Sequence, residues 1–593
     1  QARHAPTPRG TNHRDGAMRV GRNPILDDRL PAWRARFLLG ILLLGSIALV
    51  VRSFYLQGIK KDFLIGKGES RYERVIEMPA TRGRILDRSG DALAVSTPVK
   101  SVWAIPEDAK LTPAQGRQLA TLLDTDAREM TRKLASARDF VYIKRQIAPD
   151  VATQIAALKL PGIYFQNEYR RYYPAAEVTA HMLGFTGAED VGQEGIELAL
   201  NGQLAGKPGS RRVIKDRRGQ IVEDVESIRS PQEGQDAVLA LDAKLQYLAY
   251  SQLKQAIADH KAKAGGIVVL DAKTGEVLAL ANLPTYNPNN RTRLSGAQLR
   301  NRAFTDTFEP GSTFKPFTVA LALEKGHVRF DTPIQTAPGK LSIGPATIHD
   351  AHPHGILSVA QVIQKSSNVG TSKIALGMPA EDMWTMFDKL GFGQPLKLGF
   401  PGEAGGRLRP WKRWRPIEQA TMSYGHGISV TLIQLARAYQ VFARNGDLVP
   451  LSLARIDAAP SVGVRVFSEQ TAREMRAMLE MAVQPGGTAP KAQVAGYRVA
   501  GKTGTANKLE GGAYANKFVS AFVGFAPVSD PRLIVAVMID EPSAGKYYGG
   551  EVAAPVFSAV MGGALRALGV SPDDTPRPLQ VANVNAAPAK EEM

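Results

Sequence analysis

Between Phe37 and Val51 the chain reads FLLGILLLGSIALVV without a charge, after a polar, arginine-rich lead-in. A helix rises about 1.5 Å per residue, so crossing a bilayer core takes about 20 residues. Phe37 to Leu56 reaches that length when Arg52 extends its charged head to the interface. Trp33 and Tyr55 stand where interfacial aromatics are found. The pattern predicts one transmembrane anchor over 37–56. The long basic lead-in and the missing small-x-small site argue against a cleaved leader.

Past the anchor the periodicity changes. Leu93, Val95, Val102, Trp103 and Ile105 read as strand residues, as does Phe140 to Ile143. Ala114 to Leu123 and Ala127 to Leu134 read as amphipathic helices. Asp87 and Gly90 supply turn chemistry after Arg82-Gly-Arg-Ile-Leu, and Asp216-Arg-Arg-Gly219 predicts a hairpin turn. Tyr169 to Pro174 and Gly192 to Glu197 read as punctuation, their charges as an ion-pair network tying this module to the next.

In the second half, Asp242 to Asp259 is an amphipathic helix with Leu245, Leu248, Leu253 and Ile257 on its apolar side. Ile267–Leu270 and Val277–Ala281 flank a turn at Ala272–Gly275; Phe518–Phe525 and Leu533–Ile539 flank Ser529-Asp-Pro531. Two β hairpins around a helical middle predict one antiparallel sheet between helical layers, an α/β (α+β) domain. From Ser571 the chain is rich in proline and alanine without periodicity, and a disordered tail is expected. The expected organisation is a basic tail (1–36), the anchor (37–56), a β-rich module (57–233), the α/β domain (234–570) and the tail (571–593).

Composition narrows the function classes. Zero cysteines among 593 residues exclude disulfides and cysteine-based nucleophiles or metal sites. The formal charge of +18 comes without a nucleic-acid motif and with its arginines dispersed, so no nucleic-acid partner is expected. Eight arginines (Arg3, Arg9, Arg14, Arg19, Arg22, Arg29, Arg34, Arg36) against three aspartates precede the anchor. The positive-inside rule leaves that tail in the cytoplasm and everything after Leu56 outside.

The chemistry is concentrated in three runs. In Glu309-Pro-Gly-Ser312-Thr-Phe-Lys315-Pro a serine precedes a lysine by three residues at a predicted helix start, which places hydroxyl and amine on one face. Ser366-Ser367-Asn368 and Lys502-Thr503-Gly504 follow in the order typical of serine acyltransferases that penicillin acylates. Lys315 takes the Ser312 proton only if its pKa is lowered; a dry pocket and a second cation, Lys502, would lower it. Ser366 is expected to relay protons, and Asn368 to hydrogen-bond Lys315 or the substrate amide; the same run also reads as a capping cluster. Lys502, Thr503 and Thr505 offer charge and hydroxyls to a substrate carboxylate, and Gly504 admits a substrate backbone to the strand edge. The backbone N–H groups of Ser312 and Thr505 are the expected oxyanion donors. His349-Asp350-Ala-His352-Pro-His354 resembles a metal cluster, but Pro353 and a loop context disfavour ordered ligation, and no metal is expected. His426, between Gly425 and Gly427, reads as a lining residue in preference to a base.

These runs resemble the class B penicillin-binding proteins, in particular the division-specific transpeptidase of Gram-negative bacteria. The resemblance extends from the anchor to Val570. It includes the family's Arg-Gly-x-Ile-x-Asp-Arg-x-Gly motif at Arg82–Gly90 and pedestal motifs at Arg171–Pro174, His181/Gly184 and Gly195–Glu197. At His426 relatives usually carry tyrosine. The resemblance implies a β-rich pedestal, a penicillin-recognition domain and cross-linking of stem peptides in septal peptidoglycan. It further implies a single-pass inner-membrane protein with its catalytic domain in the periplasm, a serine acyl-enzyme inhibited by β-lactams, and no cofactor. Expected partners are lipid-linked glycan strands, an FtsW-type glycosyltransferase and other divisome proteins. The alternatives are a D,D-carboxypeptidase or β-lactamase-like hydrolase, and a non-catalytic scaffold or sensor.

Overall fold

The computed structural model describes residues 32–60, 73–136, 140–215, 221–292, 294–458 and 462–574. It divides into two compact units, one holding residues up to Glu77 together with Ser210–Arg229, the other holding Met78–Gly209 and everything from Ser230. Residues 57–233 are thus divided between the two units.

In the first unit, helix α1 (Ala32–Phe54) continues through a π turn at Tyr55–Ile59. It starts before the expected Phe37 and ends beyond Leu56. It is long and apolar enough to cross a membrane, with no buried residue along it. The strands Glu73–Met78, Gly209–Lys215 and Ile221–Arg229 form a small sheet. The turn expected at 216–219 lies outside the described residues, as do the tail from 575 and the basic lead-in before 32.

The second unit begins with a pedestal. Strand β1 (Ala92–Ala104) pairs with β2 (Val141–Ile147) and with β3 (Ile163–Tyr172). Val102, Leu119, Met130, Ile143 and Ile155 close a core between these strands and short helices. The segment from Tyr169 is not punctuation: it is the end of β3, with Tyr172 opposite Val95 and Arg171 opposite Ser96. Its arginines do not break the strand because Arg171 turns inward onto Glu197 (2.7 Å), which also receives Arg82 (2.7 Å). That network lies within the pedestal. Links to the next domain include Arg88–Glu276 (3.6 Å) and the Asn289 carboxamide, which bonds both N and O of Tyr173 (3.0 and 2.8 Å).

The larger domain holds the expected antiparallel sheet. Helix α2 (Ala243–Asp259), capped by Asp242, precedes β4 (Ala264–Asp271) and β5 (Val277–Leu283). Helices α3 (Lys315–Glu324), α4 (Val359–Lys365) and α5 (Asn368–Leu376) lie in the middle of the chain. Strands β6 (Ala500–Glu510), β7 (Ala513–Ala526) and β8 (Leu533–Asp540) close the sheet in the order β5-β4-β8-β7-β6, and α6 (Ala554–Ala567) ends the domain. Successive residues of a strand face opposite sides. Ile267 and Val269 accordingly enter the core made with α2 and α6, while Val268 and Leu270 enter the core made with α3 and α4. Burial on both faces explains why β4 reads as a continuous apolar run. The arrangement leaves β6, the strand of Lys502, at the sheet edge.

Candidate active site

Ser312 sits in a 3-10 turn, Gly311–Phe314, that leads into α3. Gly311 adopts φ +56°, which favours glycine, and its N–H donates to the Gly425 carbonyl (3.2 Å). A Cβ on Gly425 would stand 2.3 Å from Gly311 O, so two backbones cross here. Thr313 Oγ1 donates to Pro310 O and buried Tyr439 Oη donates to Thr313 O, both at 2.7 Å. Phe314 and Phe317 anchor the turn against Phe392 (ring centroids 4.8 and 5.8 Å). The serine is thus held on a packed scaffold, and its hydroxyl has no hydrogen-bond partner among the described residues. Ser312 is not an N-cap, since α3 follows Phe314 without a side-chain cap.

Lys315 and Lys502 are both fully buried, and they converge on one residue. Lys315 Nζ donates to the Ser366 carbonyl and to Ser366 Oγ (3.1 Å). Lys502 Nζ donates to the same Oγ (2.9 Å) and reaches Thr503 Oγ1 (3.3 Å). Ser366 ends α4 in the left-handed conformation, φ +61°. For a non-glycine residue this costs on the order of 1–3 kcal/mol, and the surrounding bonds must hold it. Ser367 caps α5: its Oγ accepts from Gly370 N (2.9 Å) and donates to Asp350 Oδ2 (2.7 Å), while Asp350 Oδ1 accepts from Val369 N (2.9 Å).

Burial depresses both amines. It is the main cause that sets Lys315 well below the ordinary ammonium range, Lys502 adds to the effect, and Asp350 opposes it. Lys502 is lowered by burial to about 7. Both amines therefore hold their proton less tightly than surface lysines do.

One sequence expectation needs correction. Asn368 does not bond Lys315: it begins α5, and its Nδ2 donates to the His349 carbonyl (2.9 Å). Gly504 is required by the serine turn: a Cβ there would lie 2.7 Å from Pro310 O and 2.9 Å from Thr313 Cγ2. The other residues of the strand take up hydroxyl contacts. Thr503 Oγ1 donates to Thr488 Oγ1 (3.1 Å), and Thr505 Oγ1 accepts from Gly549 N (3.0 Å).

His426 lines the site. Its ring packs between Tyr424 (5.2 Å) and Tyr514 (6.1 Å), and burial holds the imidazole below its usual pKa. Glu309, missed in the sequence, accepts from Gly427 N (2.8 Å) and Tyr514 Oη (3.0 Å) and so ties that turn to the hairpin after β6. Asp350 was visible only as part of the histidine-rich run. Its service to α5 spans 17 residues and leaves no local pattern. Beside Glu309 and β6 opens a cavity of about 540 Å³ walled by Arg407, Asn507 and Tyr514.

Residues 265–562 match the penicillin binding protein transpeptidase domain, and residues 77–239 match the penicillin-binding protein dimerisation domain. The chain belongs to the class B penicillin-binding proteins. Among relatives in the family, the probable peptidoglycan D,D-transpeptidase PenA of Neisseria gonorrhoeae is 46% identical over 93% of this chain and 95% of its own length. The peptidoglycan D,D-transpeptidase FtsI of Escherichia coli K12 is 43% identical over 91% and 93% respectively. The transpeptidase domain of Burkholderia pseudomallei penicillin-binding protein 3 superposes with a TM-score of 0.53 at 51% identity, covering 57% of this chain and 98% of that one. The family's two domains correspond to the pedestal and the α/β domain described above, the latter containing Ser312, Lys315, Ser366 and Lys502.

Proposed function

We propose that this chain is a peptidoglycan D,D-transpeptidase of the division septum that works through a serine acyl-enzyme. The observation that carries the reading is the convergence of two buried, pKa-depressed lysines on one serine hydroxyl, next to a rigidly held Ser312. Neutral Lys315 takes the proton of Ser312 as its oxygen attacks the carbonyl between the two terminal D-alanines of a stem peptide. The backbone N–H groups of Ser312 and Thr505 receive the oxyanion. The ester C–O bond forms, the C–N bond breaks, and D-alanine leaves with a proton returned through Lys315 and Ser366. The amine of a second stem peptide then displaces the Ser312 oxygen, making the cross-link and restoring the serine proton. Lys502, Thr503 and Thr505 receive the terminal carboxylate, and Asn368 lines the substrate side of the pocket. Penicillin presents a strained amide to the same serine and leaves a stable ester.

The apolar α1 helix and the arginine-rich residues before it support a single-pass protein of the bacterial inner membrane with the catalytic domain in the periplasm. In that setting lipid-linked glycan strands supply the substrate, and an FtsW-type glycosyltransferase with other divisome proteins forms the partner set. Intact-protein and peptide mass spectrometry after benzylpenicillin treatment tests the chemistry. One stable adduct on the Ser312 peptide, absent in Ser312→Ala, is expected; persistent labelling of the variant would remove Ser312 from its role. Rapid loss of the adduct would favour a hydrolase.

A further inference from the structure

Away from the catalytic serine, a cavity of about 680 Å³ opens where the pedestal meets the α/β domain. Five cationic residues line it, Lys144, Arg145, Arg170, Arg171 and Arg291, against one acid, Asp190. Two of the cations are neutralised from behind: Arg145 by Glu168 (3.1 Å) and Glu189 (2.5 Å), and Arg171 by Glu197 (2.7 Å). The others have no carboxylate partner among the described residues. Lys144 meets the backbone carbonyls of Leu123 and Asp124, Arg170 reaches only the Asn289 carbonyl (3.3 Å), and Arg291 lies over the Phe185 ring (4.2 Å). Arg171 adds an Nη2 that is buried without a hydrogen-bond partner. Buried or crowded guanidinium groups are costly unless an anion compensates them. Arg170 and Arg291 are exposed at the rim, one from β3 of the pedestal, the other from the segment after β5.

We propose that this cavity binds a phosphate-bearing ligand of at least two negative charges, gripped from opposite sides by Arg170 and Arg291. One planar carboxylate is satisfied by one guanidinium fork, whereas cations arriving from separate elements suit a tetrahedral oxyanion. The volume exceeds what diphosphate alone fills, which leaves room for the group that carries it. Because its two rim cations belong to different domains, the bound anion fastens the pedestal to the catalytic domain.

The test is isothermal titration of the full chain in detergent with inorganic diphosphate at fixed ionic strength, with citrate as the carboxylate comparison. Saturable one-to-one binding is expected, weakened at least tenfold in Arg170→Ala/Arg291→Ala while the melting temperature of the unliganded variant stays unchanged. If the double variant melts early, Arg170→Gln and Arg291→Gln are each titrated instead, with the same direction expected. Nanodiscs containing a polyprenyl diphosphate separate the sources: tighter binding than to inorganic diphosphate assigns a lipid-linked ligand, equal binding a soluble one. Absence of binding, equal binding by the variants, or citrate binding as tightly as diphosphate would overturn the proposal.

Discussion

Replacing Gly504 by alanine measures how closely the nucleophile is registered against the strand of Lys502. The new Cβ would stand 2.7 Å from the Pro310 carbonyl oxygen and 2.9 Å from Thr313 Cγ2. Ordinary carbon–oxygen contacts begin at about 3.3 Å and carbon–carbon contacts at about 3.5 Å, so each must open by roughly 0.6 Å. Neither side yields easily. Pro310 O is engaged by Thr313 Oγ1, Thr313 O by Tyr439, and β6 is paired along its length with β7. Overpacking of this kind costs about 1–3 kcal/mol, which lowers the melting temperature by about 2–4 °C per kcal/mol in a domain of a few hundred residues. The rate carries the sharper signal. Ser312 lies between the two residues that must move, and a misplacement near 1 Å costs about a hundredfold, so acylation is expected to fall roughly 10- to 100-fold. Stopped-flow acylation by a fluorescent penicillin, run beside melting curves, reads both effects. Gly116→Ala is the control, since nothing lies within 4 Å of its added Cβ. Wild-type acylation and melting in Gly504→Ala would refute the reasoning.

Three other outcomes are expected. Acylation requires Lys315 neutral and Lys502 charged; with Lys315 well below its ordinary range and Lys502 near 7, the second-order rate should rise with pH at the acid end and decline above about 7, as apparent values of the coupled pair. A monotonic rise to pH 9 would show that a charged Lys502 is not needed. Ser366→Ala removes the hydroxyl that both lysines share and should slow acylation about 10²- to 10⁴-fold in the same penicillin assay, with a stability loss of about 1–3 kcal/mol from the donors left unpaired. Glu197→Ala leaves two buried guanidinium groups without their carboxylate and should cost about 3–5 kcal/mol in urea unfolding while Ser312 stays reactive in the fraction still folded; a loss below 1 kcal/mol would mean that water replaces the carboxylate.

Ser312, Lys315, Ser366 and Lys502 were legible as candidates because each sits in a short local run, and the sheet because two hairpins with β-branched strands bracket it. What stayed hidden depends on contacts distant in sequence. Tyr169 to Tyr172 reads as charged punctuation because the partner that neutralises Arg171, Glu197, lies 26 residues further on. For Asn368 the motif order alone leaves two partners open, Lys315 or the substrate amide, and the first is not made. The left-handed Ser366 instead turns its own carbonyl and hydroxyl to the lysines, and the Asn368 carboxamide goes to His349. The close approach of Gly504 to the serine turn joins residues far apart along the chain and leaves no local pattern. Of the histidine-rich run, Asp350 is the member that matters to the site, as a support for α5.

The shared serine has a consequence for how the base changes charge. A neutral amine has two hydrogens and one lone pair; an ammonium has three hydrogens. Lys315 directs two of its positions at fixed acceptors, the carbonyl and the hydroxyl of Ser366. Those two bonds stay in place while Lys315 gains a proton, which enters at the remaining tetrahedral position; a proton passed on through Ser366 leaves along the bond to its hydroxyl. Ser366 Oγ, accepting from both lysines, has both lone pairs occupied, so its own hydrogen must point away from them. Proton gain and loss at Lys315 therefore require no rotation of the side chain and no rearrangement of its neighbours. On the proposed mechanism Lys315 behaves as a hinge with two leaves pinned, and the free leaf is the one left to receive the Ser312 proton.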